Sequence, residues 1–303
     1  MPVPIVIDAS TFQKPLGELA VTMALKIERE AMSLIGAPMY VPIDIGVLLR
    51  SSNETLNLLW YINADETQTQ PGFRPIYSIV SASLVRNLID NLYNITFILR
   101  DPPHNGLAFR VAGIKKEQLD LNEDELRYGG QPEWDTWLTD SREKLSLNMR
   151  GLNVTQAEVD SQQPWKTLGK YLSEKGPGGS LNDHQVFLST FVYGPWREYS
   201  ALAHGGPEAL RDVGMYYTYK EQPFEDRPKI EDALERTRSL HLMRASLVLL
   251  ATITELQIFF RFTDANIDSR IRKIWDAVLV HFEAKELYDG HYKALMEQKG
   301  IVP

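Results

Sequence analysis

Residues 76–99 read IYSIVSASLVRNLIDNLYNITFIL, and their spacing settles the fold class. Leu84, Leu88, Leu92, Ile95 and Leu99 recur every three or four positions. At about 100° per residue that is one continuous apolar stripe along a helix. A half-buried strand would instead alternate with a period of two. Asp101-Pro102-Pro103 stops the helix, since proline has no N–H for the ladder and its ring collides with the preceding turn.

The same spacing recurs on both sides. Leu16, Ala20, Met23, Ile27, Ala31 and Leu34 predict an amphipathic helix ending near Gly36. A second runs from about Asp44 to Asn63, through Val47, Leu48, Leu56, Leu59 and Ile62, with Asn53 and Glu54 the weakest point of its pattern. Between His104 and Gly179 the pattern weakens to short segments near 116–126, 133–150 and 165–174, and Lys175-Gly-Pro-Gly-Gly179 reads as a flexible connection. Leu181 to His204, Glu208 to Tyr219, Lys229 to Arg261, Asn266 to Phe282 and Glu286 to Gln298 read as helices. The expectation is an all-α multi-helix bundle forming a single domain over 1–303. Residues 100–180 are its looser elaboration, and 76–99 with 181–261 its core.

Composition narrows the chemistry. The chain carries 32 Lys and Arg against 40 Asp and Glu, a net charge of -8, so nucleic-acid contact would have to be local. It has no cysteine, which excludes disulfides, thiolate catalysis and cysteine-ligated zinc or iron–sulfur clusters and suits a reducing compartment. The six histidines are scattered rather than nested, and neither a Gly-rich phosphate loop, a GxSxG elbow nor an HExxH helix is present. No cofactor and no metal are expected. The N-terminus lacks a basic leader followed by an apolar run, and the apolar stretch 246–260 is interrupted by Glu255, so a cytoplasmic location without a membrane span is expected.

The most informative segment is Gly194-Pro-Trp-Arg-Glu-Tyr-Ser-Ala-Leu-Ala-His-Gly-Gly-Pro207. Gly194-Pro195 reads as a break or a first-turn proline, and Gly205-Gly206-Pro207 as a stop that puts His204 in the last turn. Arg197 and His204 lie about 20° apart on the wheel, with Ser200 on the same side. The helix C-terminus favours an imidazolium there. A guanidinium on a phosphate oxygen and an imidazole exchanging a proton with a 2′-hydroxyl would cleave RNA without a metal. The competing reading makes His204 a helix-terminal cation, Arg197 a surface ion-pair partner and Ser200 a packing residue. In the 76–99 helix, Arg86 and Asp90 are one turn apart, and Asn87, Asn91 and Asn94 add a polar ridge. Asp90 would either orient His204 or, paired with Arg86, belong to a solvated face or an interhelical polar clamp. Phe187, Phe191, Tyr193, Trp196, Tyr199, Tyr216 and Tyr217 would stack bases or, as is commoner, fill a core or a dimer interface.

Arg86-x-x-x-Asp90, the Asp-Pro stop and Tyr199-Ser200-x-x-x-His204-Gly205 together resemble an uncharacterised, mainly bacterial all-helical family that usually has Glu where Asp90 stands. Arg197, six residues and His204 also resemble the Arg-x(4–6)-His signature of the HEPN superfamily, whose members include metal-independent ribonucleases and inactive binding proteins. The resemblance covers residues 76–261. It implies an RNA-processing or toxin/defence-type protein in which Arg197 binds phosphate, His204 is the general acid/base and Ser200 adds a hydrogen bond. Arg86, Asp90 and Tyr199 would support them, and two copies would face each other across a shared cleft in a homodimer acting on RNA. The rival reading, a non-catalytic helical interaction or dimerisation protein, fits the net acidity, the few cations between 180 and 220, and Glu198, which stands where such nucleases carry a polar, uncharged residue.

Overall fold

The computed structural model describes residues 10–36, 38–63, 74–174, 180–207, 214, 225 and 227–301. Of these 86% are helical, and among them there is no strand, so the protein is all-α. The described helices are α1 (Ser10–Ile35), α2 (Tyr40–Asn63), α3 (Arg74–Leu99), α4 (Pro102–Tyr128), α5 (Pro132–Leu152), α6 (Gln156–Ser161), α7 (Leu168–Ser173), α8 (Asp183–Phe187), α9 (Tyr193–Ala203), α10 (Arg227–Phe260), α11 (Ala265–Val278), α12 (Phe282–Leu287) and α13 (Lys293–Gln298). Two π-helical segments, Leu188–Val192 and Tyr288–Tyr292, join α8 to α9 and α12 to α13. Apart from Gly214, which is helical, the helix expected over Glu208–Tyr219 lies outside the described residues, as does the Lys175–Gly179 connection.

The stripe on α3 is central because it is apolar on more than one side: Val85, Leu88, Ile89, Leu92, Ile95 and Ile98 are all buried. α3 packs against α2, α4, α9 and α10, while α1 lies on α2, α10 and α11. Small residues in α10, Ala245, Ser246 and Ala251, are buried and let neighbouring helices approach closely. Three hydrogen bonds tie polar groups together inside this core: Asn91 Nδ2 donates to Ser52 Oγ at 3.1 Å, Asn63 Nδ2 to Ser81 Oγ at 2.9 Å and Trp275 Nε1 to Thr254 Oγ1 at 3.0 Å. α10 is long and apolar enough to cross a membrane by composition alone, and 72% of its apolar window is buried against the rest of the protein.

Several boundaries differ from the sequence reading. α2 starts at Tyr40 and runs unbroken through Asn53 and Glu54, because Asn53 and Thr55 are buried rather than looped out. Residues 100–180 are not a string of short segments: α4 has 27 residues and α5 has 21, packed as a hairpin over a second small core of Val111, Ile114 and Val159. The proline pair that ends α3 also begins α4. Asp101 accepts the His104 N–H at 3.4 Å as N-cap, and Pro102 occupies the first turn, where no N–H is needed. The helix expected over 266–282 ends at Val278.

α10 ends on Arg261, whose φ of +51° lies in the left-handed region and whose N–H donates to the Gln257 carbonyl at 2.9 Å. A Cβ is strained in that conformation, and the Arg261 side chain is exposed. Arg261→Gly should therefore raise stability by about 0.5–1 kcal/mol, measured by urea unfolding.

Candidate functional site

The run from α8 through the π-helical segment to α9 carries the motif. Pro195 is the third residue of α9, yet the helical path continues: Tyr193 donates its N–H to the Leu188 carbonyl, five residues back. Proline at 195 has no N–H for the Phe191 carbonyl, and the widened turn absorbs that mismatch. Gly194, lacking a Cβ, tolerates a helical conformation before proline that other residues resist. At the far end Gly205 has φ +69°, Gly205 N–H reaches the Leu202 carbonyl at 3.2 Å and Gly206 N–H the Ala201 carbonyl at 2.8 Å. This is a complete Schellman closure, and a Cβ on Gly206 would sit 2.9 Å from the Ala201 carbonyl oxygen. His204 is thus the C-cap, one residue beyond the last turn of α9.

Successive residues of α9 face different neighbours. Arg197 and His204 are exposed. Ser200 accepts a hydrogen bond from Arg86 Nε on α3 at 2.7 Å. Arg86 pairs with Asp90, and its guanidinium lies 4.3 Å from the ring centroid of Trp196, whose Nε1 donates to Asp90 at 3.2 Å. Arg86, Asp90, Trp196 and Ser200 form a closed clamp between α3 and α9. Asp90 is turned to Arg86 and Trp196, and among the described residues no hydrogen bond or ion pair joins it to His204. The expected polar ridge divides as well: Asn91 is buried against Ser52, Asn94 accepts from Trp165 Nε1 at 2.8 Å and Asn87 is exposed.

Tyr199 is fully buried, and its hydroxyl lies 2.9 Å from His241 Nδ1 on α10. Burial pushes the phenol up, Arg244 acting in the opposite sense, and burial pushes His241 down to about 4, so the imidazole is neutral. Arg244 lies 5.7 Å from the Tyr199 ring centroid and is gripped from two sides. Its Nε and Nη2 donate to Glu283 on α12 at 3.0 and 2.8 Å, and its Nη1 donates to Glu198 at 2.8 Å. Burial opposes the Arg244 charge, but the Glu283 hydrogen bonds, with Tyr199 and Glu198, raise its pKa overall. Glu198 is thereby tied to α10.

Beside Arg244 opens a cavity of about 460 Å³ between α3, the α8–α9 run, α10 and α12. Leu92, Leu247, Val248 and Ala251 line it on α3 and α10, with Phe187, Phe191 and Val192 from the motif run. Phe191 is seated by a close approach to Gly290, where an added Cβ would lie 2.8 Å from the ring. His241, Arg244, Glu283 and this cavity were not singled out from the sequence, and Trp196 was read there only as a stacking or packing aromatic. The signal available was Arg244, a lone charge within the otherwise uncharged, mostly apolar run 242–254.

The other aromatic residues of the motif run, and Trp165 and Trp134 beyond it, make packing contacts. Phe187 is buried, while Phe191, Tyr193 and Trp196 are half-buried against the main core. Trp165 sits edge-on to Phe97 and Phe109, and Trp134 stacks on Tyr128. Tyr216 and Tyr217 lie outside the described residues. Among the described residues no group of three or more His, Asp or Glu is arranged to hold a metal ion. Neither a protein-family model, nor a curated protein, nor a solved structure matches the chain.

Proposed function

We propose that the chain is a non-catalytic helical interaction protein that pairs with a second copy of itself. The observation that carries this reading is the outward face of α2. Ile43, Val47, Leu58 and Tyr61 are all exposed, Val47 by 56%, and with Arg50 and Glu54 they fall within about 80° of the wheel. The stripe is self-complementary. Residues 43 and 61, and 50 and 54, are equidistant from residue 52, so an antiparallel twofold pairing puts Arg50 of one copy opposite Glu54 of the other, and Ile43 opposite Tyr61. Glu28 on α1 steadies Arg50 at the edge of the stripe, with two hydrogen bonds of 2.9 Å.

The motif residues fit the same reading, because Arg86, Asp90, Trp196 and Ser200 contact one another as a clamp between α3 and α9. Ser200→Ala should lower stability by about 1–3 kcal/mol by leaving a largely buried guanidinium N–H unpaired, which urea unfolding reads directly. Sedimentation should give a dimer for the wild type and a monomer for Val47→Glu. A wild type that stays monomeric, or a dimer indifferent to Val47→Glu, overturns the pairing.

A second reading, metal-independent RNA cleavage by Arg197 and His204, is favoured by one observation: both are exposed, while the Glu198 carboxylate is neutralised by its pairing with Arg244. RNA cleavage in the presence of a chelator that disappears in His204→Ala, with an unchanged melting temperature, would replace the first reading by this one.

A further inference from the structure

The cavity beside Arg244 uses none of the α2 stripe and none of the clamp's hydrogen bonds, and its chemistry stands independently of both. Its volume, about 460 Å³, falls in the range of small-molecule sites, and its walls follow the usual plan of an apolar body with a few convergent polar groups. Leu92, Leu247 and Ala251 make the inner wall. The polar groups are Thr190, Glu198, Arg244, Glu283 and Glu286, which is three carboxylates against one guanidinium.

That guanidinium is already committed. Nε and Nη2 belong to Glu283 and Nη1 to Glu198, so an anionic ligand would have to break charge-assisted hydrogen bonds to reach it. A cation meets the opposite situation, because the carboxylates outnumber the charge they neutralise and Glu286 is exposed. Phe282, also exposed by 63%, brings an aromatic ring to the same lining, and ring faces attract ammonium groups. A bare metal ion does not fit, since no cluster of ligands among the described residues converges on one point.

We infer that this cavity binds an amphipathic organic amine, its alkyl or aryl body against Leu92, Leu247 and Ala251 and its ammonium group among Glu198, Glu283 and Glu286. Calorimetric titration near pH 7 with n-octylamine, n-octanol and octanoate tests it. The amine should bind at least about tenfold more tightly than the alcohol, and octanoate should bind more weakly than either. Glu286→Gln should weaken the amine by roughly three- to tenfold and leave the alcohol unchanged. Thr190→Trp, which plugs the cavity, should abolish binding of both. Thr190 and Glu286 are exposed, so both variants should keep the wild-type helical circular dichroism and melting temperature. The inference is overturned if octylamine does not bind the wild type, if octanoate or octanol binds as tightly, or if Thr190→Trp leaves the amine's affinity intact.

Discussion

Acidifying the protein from about pH 7 to about pH 5 should cost the fold roughly 4 kcal/mol at His241 and His184, about half at each, and His281, also lowered by burial, adds to the loss in the same sense. Burial, with Arg244 nearby, pushes His241 down to about 4. Burial, with Arg100 and His291, pushes His184 down to about 3. In the unfolded chain both return to the ordinary value near 6.5. Their folded values are depressed, so the unfolded chain binds more protons between the two limits. Stability is then fully present above about pH 6.5 and falls as the pH drops toward 4 for His241 and 3 for His184. Both imidazoles face a phenol through Nδ1, His241 at 2.9 Å from Tyr199 and His184 at 3.2 Å from Tyr171. Protonation therefore adds a charge beside an existing cation without supplying a carboxylate partner. Asp268, raised by burial, works the other way, but only near its own lower range. Urea midpoints at the two pH values measure the loss, and His241→Asn should remove about half of it while keeping a polar atom near Tyr199. A midpoint that does not move between pH 7 and 5 would rule out neutral burial of both rings.

The bundle was legible where apolar spacing alone determines packing. The α3 stripe is read directly from residues 84–99, because a helix buried on several sides has little charge to obscure its period. α4 was mistaken for a short segment because its contact face is sparse: of its 27 residues only Gly106, Val111, Ile114 and Leu121 are buried, and the remainder is largely charged or polar. Its length rests on the Asp101 cap and on packing against α5, neither of which appears as periodicity. The π-helical turns left no pattern either, although Gly194-Pro195 marked where regular hydrogen bonding had to change. Arg86 and Asp90 were legible as a pair, since one helical turn brings them together without any tertiary knowledge. The partnership of Arg86 with Ser200 spans 114 positions and depends on how α3 meets α9. Wheel geometry grouped Arg197, Ser200 and His204 on one side, but it could not say that a second helix would claim the middle residue and leave the outer two in solvent.

Removing the Arg244 side chain should be the most damaging single substitution in the described core, at about 3–5 kcal/mol for Arg244→Ala. The reason lies in what remains. Arg244 is only 14% exposed and bridges Glu198 on α9 to Glu283 on α12, so it ties two helices to α10. Without it, Glu283, itself 22% exposed, keeps its charge with no counterion, and Tyr199 loses the cation beside its ring. Glu198 is 43% exposed and recovers part of its hydration, which holds the loss toward the lower end of that range. Much of the penalty comes from stranding a carboxylate rather than from the strength of the pair, and a second substitution separates the two contributions. Arg244→Met/Glu283→Gln should recover at least half of the Arg244→Ala loss, because a neutral pair of similar volume leaves no buried charge. Urea unfolding of the three proteins near pH 7 measures both steps. If the double variant is as unstable as Arg244→Ala, the bridge contributes through its own ion pairs, and the stranded-charge account of this junction fails.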